Sequence, residues 1–173
     1  VYQEYSDWSP ANADREYGGL YSVEGALVNS INTVSVQLLM EGGIDSTIHL
    51  AGELGLRGRF PRVPSLALGT LNASVLNMAE TYSAFAANGI PRSNSVLYKI
   101  EDQNGNVLET FRDSSQEKQV LSPRICEQIT MMLQGVVERG TARSLKRNFR
   151  FQGDIAGKTG TTQDQADGWF IGY

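Results

Sequence analysis

The order of helical and strand patterns constrains the fold of this chain most strongly. Apolar residues recur at helical spacing between residues 22 and 89, and Ser122-Pro123 begins a longer helical pattern that ends near Gly140. Strand patterns come mostly later, as a hairpin and a final pair of strands. These predicted segments are residues 96–112, 154–162 and 168–173. Helices that come mainly before strands indicate an α+β fold.

Short polar side chains interrupt the first helical stripe at residues 29–33 (NSINT). Such side chains compete for backbone hydrogen bonds and favour helix ends over helix interiors. We therefore predict two helices that meet at this cluster. Ser30 and Asn32 are expected to stand out from the backbone there, away from the core.

Three further expectations concern the first half of the chain. Residues 1–21 are rich in Tyr, Asp, Asn and Gly and are predicted to form an irregular surface segment. Asp45 is predicted to cap a helix that ends near Gly55. Ser74 is predicted to cap another helix, which turns one apolar side toward the core. That side carries Val75, Met78, Ala79, Tyr82, Phe85 and Ala86.

The composition limits the classes of function that the chain can have. With 173 residues, 40% of them hydrophobic, it is long enough for one domain with a sizeable core. The net charge of −4 gives no electrostatic reason to expect nucleic acid. The single cysteine, Cys126, falls in a helical stripe and is predicted to be a small core residue rather than a nucleophile. His49, the one histidine, falls inside a predicted helix and is a poor candidate for a catalytic triad. We find no apolar run of membrane length and no metal-site spacing.

Residues 157–162 (GKTGTT) combine a cation, hydroxyls and glycines just before the apolar strand at 169–173. This combination is suited to binding an anion at a strand edge. Taken alone, Lys158 could be a solvated strand lysine, and Ser30 and Asn32 could be simple helix caps. Asp164 and Asp167 are predicted to be ordinary turn acids.

Ser30-Ile31-Asn32 and Lys158-Thr159-Gly160 together match two of the three motifs of penicillin-binding proteins and serine β-lactamases. Around these motifs the chain resembles the transpeptidase domain of class A, bifunctional penicillin-binding proteins. The segments that carry the resemblance are residues 24–39 (EGALVNSINTVSVQLL), 66–89 (LALGTLNASVLNMAETYSAFAANG), 140–142 (GTA) and 157–173 (GKTGTTQDQADGWFIGY). The resemblance implies a β-lactamase/transpeptidase-like fold, an antiparallel sheet packed with helices plus a helical subdomain. Residues 1–173 would be a partial domain, incomplete at its N-terminus.

The resemblance also implies the chemistry and the residues that carry it. A serine in Ser-x-x-Lys would be acylated by the D-Ala-D-Ala end of a peptidoglycan stem peptide, and an amine of a second stem would then take the acyl group. Ser30 would shuttle the proton, helped by the charge of Lys158. Asn32 would hold the peptide backbone of the substrate. Thr159 and Thr161, with Lys158, would match the terminal carboxylate, Gly160 would allow close approach, and the backbone N–H of Thr161 would be half of the oxyanion hole.

The third motif departs from this pattern. The one Ser-x-x-Lys match, at residues 115–118, lies downstream of Ser30 in a polar loop with no apolar helix behind it. We interpret it as a chance match, and we expect the nucleophile to lie before Val1. The isolated chain is then expected to be inactive. Two alternatives remain open: a D,D-carboxypeptidase or β-lactamase, and a non-catalytic module that binds cell-wall peptides.

The resemblance implies partners and a location as well. The partners would be peptidoglycan stem peptides or their lipid-linked precursor and β-lactams, with no cofactor, metal or nucleic acid. The parent protein would act outside the cytoplasm, anchored in the cytoplasmic membrane through a segment beyond these residues, and would often carry a glycosyltransferase domain. We also expect exposed apolar surface, through which copies of the chain could associate.

Overall fold

The computed structural model describes residues 8–93, 97–111, 118–162 and 168–173. Six α-helices and four strands occur in this part of the chain, together with a short 3-10 helix, Pro64–Leu68. The helices are α1 (Val23–Asn29), α2 (Asn32–Gly42), α3 (Ile44–Glu53), α4 (Val75–Ala86), α5 (Pro123–Glu138) and α6 (Ser144–Arg147). The strands are β1 (Lys99–Glu101), β2 (Val107–Thr110), β3 (Gly157–Thr161) and β4 (Gly168–Gly172). The predicted α+β fold and the order of its elements are confirmed.

Serine side chains cap the start of three helices, α1, α4 and α5. Ser22, Ser74 and Ser122 each accept a hydrogen bond from a backbone N–H three residues further on, which satisfies one of the free donors at the helix start. The predicted caps at Ser74 and Ser122 are therefore confirmed. The predicted cap at Asp45 is wrong. Gly43, at φ 86°, is the N-cap of α3, because this left-handed conformation lets α3 begin directly after α2.

Helix α4 turns a more polar side inward than its sequence predicts. Its buried residues are Asn77, Glu80, Thr81 and Ala84. Of the predicted apolar side, Met78, Tyr82 and Phe85 are partly buried, whereas Val75, Ala79 and Ala86 are exposed. The reason is a contact made by Asn77 with the segment after α3. Its amide group donates to the carbonyl of Gly55 at 2.7 Å and accepts the N–H of Arg57 at 2.8 Å. These bonds hold the polar side of α4 against the protein interior.

The core lies around α5, against which α1 and β3 pack. Val136 and Val137 are fully buried there, and Ala142 completes a cluster that Leu145 and Ile155 cover in part. Cys126 is 1% exposed, and burial raises the pKa of its thiol. The prediction that Cys126 is a core residue is confirmed.

Two antiparallel strand pairs complete the described part of the fold. Strands β1 and β2 form the predicted hairpin, with Gly105 at φ 83° in its turn. Strands β3 and β4 pair so that Lys158 lies opposite Ile171 and Thr159 opposite Phe170. The turn between them lies outside the described residues, and so do Asp164 and Asp167.

Large apolar side chains are exposed on both strand pairs, among them Ile100 (39%), Leu108 (66%), Trp169 (43%) and Phe170 (40%). This agrees with the expectation of exposed apolar surface. Association of copies through it stays a prediction. Among the described residues no helix combines the length and the apolar character needed to cross a membrane.

Candidate active site

Ser30 lies at the junction of α1 and α2, where the polar cluster predicted a break. It is the C-cap of α1 and has left-handed backbone angles, φ 57° and ψ 49°, which a residue with a side chain rarely adopts. Its N–H bonds back to the carbonyls of Ala26 and Leu27. The next residue, Ile31, is 4% exposed and anchors the junction in the core. The hydroxyl of Ser30 is thus held at a fixed turn between α1 and α2.

Lys158 on β3 contacts Ser30, which lies 128 positions earlier in the sequence. Its ammonium group donates to the Ser30 hydroxyl at 2.9 Å and to the carbonyl of Thr159 at 3.0 Å. The lysine is partly buried, and this burial lowers the pKa of its ammonium from the ordinary value of 10.5. The structure therefore brings together the two residues predicted from separate motifs.

The outer edge of β3 presents backbone groups to the same region. Ala156 and Tyr173 exchange both N–H···O bonds at 2.9 Å. In an antiparallel pair, such positions alternate with positions whose N–H and C=O point away from the partner strand. The register therefore directs the backbone groups of Gly157, Thr159 and Thr161 away from β4. The N–H of Thr161, the predicted oxyanion donor, lies on this outer edge.

The side chains of the Lys-Thr-Gly segment differ in their surroundings. The hydroxyls of Thr159 and Thr141 lie 2.6 Å apart. At Gly160 an added Cβ would come no closer than 3.7 Å to Trp169, an ordinary contact, so packing within the protein does not require glycine there. Gly160 and Thr161 are exposed. The roles predicted for these residues toward a ligand stay predictions.

Asn32 is the first residue of α2, and its amide is already engaged by the protein. It donates to the carbonyl of Ala11 at 2.7 Å. The contact fixes the orientation of the amide group at the helix start. This bond uses one of the two amide hydrogens of Asn32. The predicted contact with a substrate backbone would then use the second amide hydrogen and the side-chain oxygen.

The sequence analysis missed Asn12, which it placed in a surface segment. Asn12 is 5% exposed. Its side-chain oxygen accepts hydrogen bonds from the N–H of Thr33 at 3.1 Å and from the hydroxyl of Thr33 at 3.2 Å. Its side-chain N–H donates to the backbone carbonyl of Glu16 at 2.8 Å. A residue 21 positions upstream therefore caps α2. Only the residue type, a good cap and turn former, could have drawn attention to it.

The turn at Gly140 and Thr141 contacts both α1 and β3. The sequence analysis did not predict these contacts. A Cβ at Gly140 would lie 2.3 Å from the carbonyl oxygen of Val28, so only glycine fits. The N–H of Thr141 donates to that same oxygen at 3.3 Å. An ion pair between Arg139 and Glu24 lies beside this contact. The turn thereby holds the end of α1, and with it Ser30, against β3.

Other chemically capable residues lie apart from this arrangement. Ser115 falls outside the described residues. Lys118 forms an ion pair with Glu53 of α3, and the hydrogen bond from Lys118 lowers the pKa of the Glu53 carboxyl. His49 is exposed on α3. Within the described ranges, no three His, Cys, Asp or Glu side chains are grouped so that they could hold a metal ion. Tyr173 packs on α5, where its hydroxyl lies 2.7 Å from that of Thr130.

Comparison with known proteins identifies the family of this chain. The family described as penicillin binding protein transpeptidase domain matches residues 62–173. The chain belongs to this family. It is 37% identical over 172 residues to penicillin-binding protein 1A of Neisseria gonorrhoeae, and 32% identical over 166 residues to penicillin-binding protein 1B of Haemophilus influenzae. These matches cover 97% and 95% of the chain but 21% of each relative, so the chain spans about a fifth of their length.

Solved structures show the same fold. Penicillin-binding protein 1A from Haemophilus influenzae superposes with a TM-score of 0.83 at 23% identity, over 96% of this chain and 30% of that one. PonA1 from Mycobacterium tuberculosis, in complex with penicillin V, gives 0.76 at 25% identity, over 94% of this chain and 47% of that one. The predicted β-lactamase/transpeptidase-like fold and the family resemblance are confirmed.

Proposed function

We propose that the chain forms part of the cleft of a peptidoglycan D,D-transpeptidase, which cross-links cell walls by serine acyl transfer. The observation that carries the proposal is the 2.9 Å bond from Lys158 to Ser30, on the two elements that bear the family motifs. Membership of the penicillin-binding transpeptidase family supports it.

The direction of this hydrogen bond suits Ser30 to proton transfer. A hydroxyl has one hydrogen to donate and two lone pairs to accept with, and an ammonium group can only donate. Lys158 therefore occupies a lone pair of Ser30 and leaves the hydrogen of Ser30 available for another group. When the attacking serine forms its ester with the penultimate D-alanine, the amide bond to the last D-alanine breaks. Ser30 would give its hydrogen to the leaving amine and regain one from the attacking hydroxyl.

The edge of β3 supplies complementary groups for the rest of the substrate. Lys158 provides positive charge, and Thr159 and Thr161 provide hydroxyls, for the terminal carboxylate. The outward N–H of Thr161 would bind the oxygen that becomes negative as the carbonyl is attacked. Loss of one such donor typically costs about 10²–10³ in rate.

We place the attacking serine outside these 173 residues. The one Ser-x-x-Lys segment in the sequence ends in Lys118, and the described partner of Lys118 is Glu53 rather than any group of the cleft. A stem-peptide substrate, β-lactam binding, and an extracytoplasmic location with a membrane anchor beyond these residues belong to the same proposal. PonA1, whose solved structure contains penicillin V, supports the β-lactam part.

A labelled penicillin tests the proposal directly. We expect a covalent adduct with the full-length protein that contains this chain, no adduct with the 173-residue chain alone, and slower adduct formation in Lys158→Met. An exposed lysine such as Lys99, changed in the same way, is the matched control. Absence of an adduct with the full-length protein would overturn the proposal.

The fate of the acyl group separates this function from its alternatives. A transpeptidase should transfer the acyl group from a D-Ala-D-Ala peptide to an added D-amino acid. Release by water alone would identify a D,D-carboxypeptidase, and rapid turnover of penicillin would identify a β-lactamase. Reversible peptide binding without an adduct would identify a binding module.

A further inference from the structure

We infer that Thr141 is a positioning residue that sets the direction of the Thr159 hydroxyl hydrogen and so favours ligands with a carboxylate at this site. The inference rests on the proposed function and goes beyond it, because it gives a part in ligand recognition to Thr141, which belongs to neither the Ser-x-Asn nor the Lys-Thr-Gly motif.

Thr141 is held in place from both sides, although its own side chain is exposed. Its N–H bonds to the carbonyl of Val28, and Gly140 packs so closely on Val28 that no side chain fits there. The following residue, Ala142, is 3% exposed and donates its N–H to the carbonyl of Val136 at 3.1 Å. The hydroxyl of Thr141 is therefore presented to Thr159 by a fixed piece of backbone.

The 2.6 Å contact between these two hydroxyls allows either oxygen to be the donor. A carboxylate can only accept hydrogen bonds. For Thr159 to bind a carboxylate, its single hydrogen must point at that ligand, and the Thr141 hydrogen must then point at Thr159. Such a chain of hydroxyls strengthens the terminal bond, because each donor polarises the next.

A ligand group that can itself donate does not need this arrangement. Thr159 could accept from an alcohol on the ligand whether or not Thr141 donates to it. The contribution of Thr141 should therefore appear as a preference for the carboxylate over a hydroxymethyl group in the same position. A role limited to holding the turn together would change the reaction with both ligands alike.

The experiment compares the rates at which the full-length protein forms an adduct with benzylpenicillin and with the analogue that has a hydroxymethyl group in place of the carboxylate. We expect Thr141→Val and Thr141→Ala to reduce the preference for the carboxylate by about 2- to 10-fold, the usual worth of one hydrogen bond. Thr141→Ser, which keeps the hydroxyl, should retain the preference. Because Thr141 is exposed, none of these variants removes a core contact.

The outcomes separate this inference from the proposed function. If the unmodified protein forms an adduct and Thr141→Val keeps its preference for the carboxylate, the inference about Thr141 is wrong and the proposed function stands. A loss of preference in Thr141→Ser as large as in Thr141→Val would also overturn the inference. No adduct in the unmodified protein would overturn the proposed function and this inference together.

Discussion

The ammonium group of Lys158 donates to the hydroxyl of Ser30 at 2.9 Å, although the two residues are 128 positions apart in the sequence. Each residue is set by a different feature of the fold. Ser30 lies on a left-handed turn between two helices, and Lys158 lies on a strand that packs against α5. The contact therefore depends on the packing of α1 and β3 around the core. It also allows the chemical and structural roles of Ser30 to be tested separately.

Replacing Ser30 with glycine should leave the chain more stable than replacing it with alanine, and both changes should reduce activity. A residue with a side chain at φ 57° pays about 1–2 kcal/mol for this conformation, and glycine does not. We expect Ser30→Gly to be more stable than Ser30→Ala by about 1 kcal/mol in urea unfolding. Both variants lack the hydroxyl and should form the acyl adduct about 10²–10⁴ times more slowly in the full-length protein. Equal stability of the two variants would show that the left-handed turn carries no strain.

The activity should depend on the protonation of Lys158 in a predictable direction. Burial disfavours the charged form, so the pKa of Lys158 lies below its ordinary 10.5. If the charged form is the active one, the adduct-forming rate should fall on the alkaline side with a midpoint below that value. Lys158→Arg should lose this alkaline fall, since a guanidinium keeps its proton over the whole range. An unchanged alkaline midpoint in Lys158→Arg would assign the fall to another group.

Gly140 should be intolerant of any side chain. An added Cβ would lie 2.3 Å from the carbonyl oxygen of Val28 and 2.9 Å from the backbone of Val136. We expect Gly140→Ala to cost about 1–3 kcal/mol and to slow adduct formation, because α1 and Ser30 must move. Gly42→Ala is the matched control, since a Cβ at Gly42 meets nothing within 4 Å at the end of α2. A Gly140→Ala protein as stable and as active as Gly42→Ala would contradict this role of the turn.

The sequence was informative where the signal was local. The polar cluster around Ser30 predicted the break between α1 and α2, and serine caps predicted the starts of α4 and α5. The Lys-Thr-Gly segment predicted strand β3. These features depend on neighbouring residues, so the local sequence is enough to predict them.

Long-range contacts account for what the sequence analysis missed. The inward side of α4 was predicted only in part, because Asn77 binds backbone groups 20 and 22 residues away and turns a more polar side toward the interior. The engagement of Asn32 by Ala11 and the contact between Thr141 and Thr159 also join distant segments. No periodicity or local motif reports such bonds.

Asn12 offers a test of whether one of these distant contacts supports the site. Asn12→Ala removes the acceptor for two groups of Thr33 and leaves them without this partner at the start of α2, which should cost about 1–3 kcal/mol. Asn12→Asp keeps the acceptor and places negative charge near a helix N-terminus, which is favourable, but it loses the donor to the carbonyl of Glu16, so it should recover only part of the stability. Asp14→Ala is the control, because within the described residues the side chain of Asp14 accepts an exposed bond from the N–H of Glu16.

The effect of Asn12 should extend to the cleft, because the neighbouring residue, Ala11, accepts the hydrogen bond from the amide of Asn32. We expect Asn12→Ala to slow adduct formation in the full-length protein more than Asp14→Ala does, at a temperature where both variants are folded. If Asn12→Ala lowered the stability but left this rate unchanged, Asn12 would act as a helix cap alone. The bond from Asn32 to the carbonyl of Ala11 would then form without help from the side chain of Asn12.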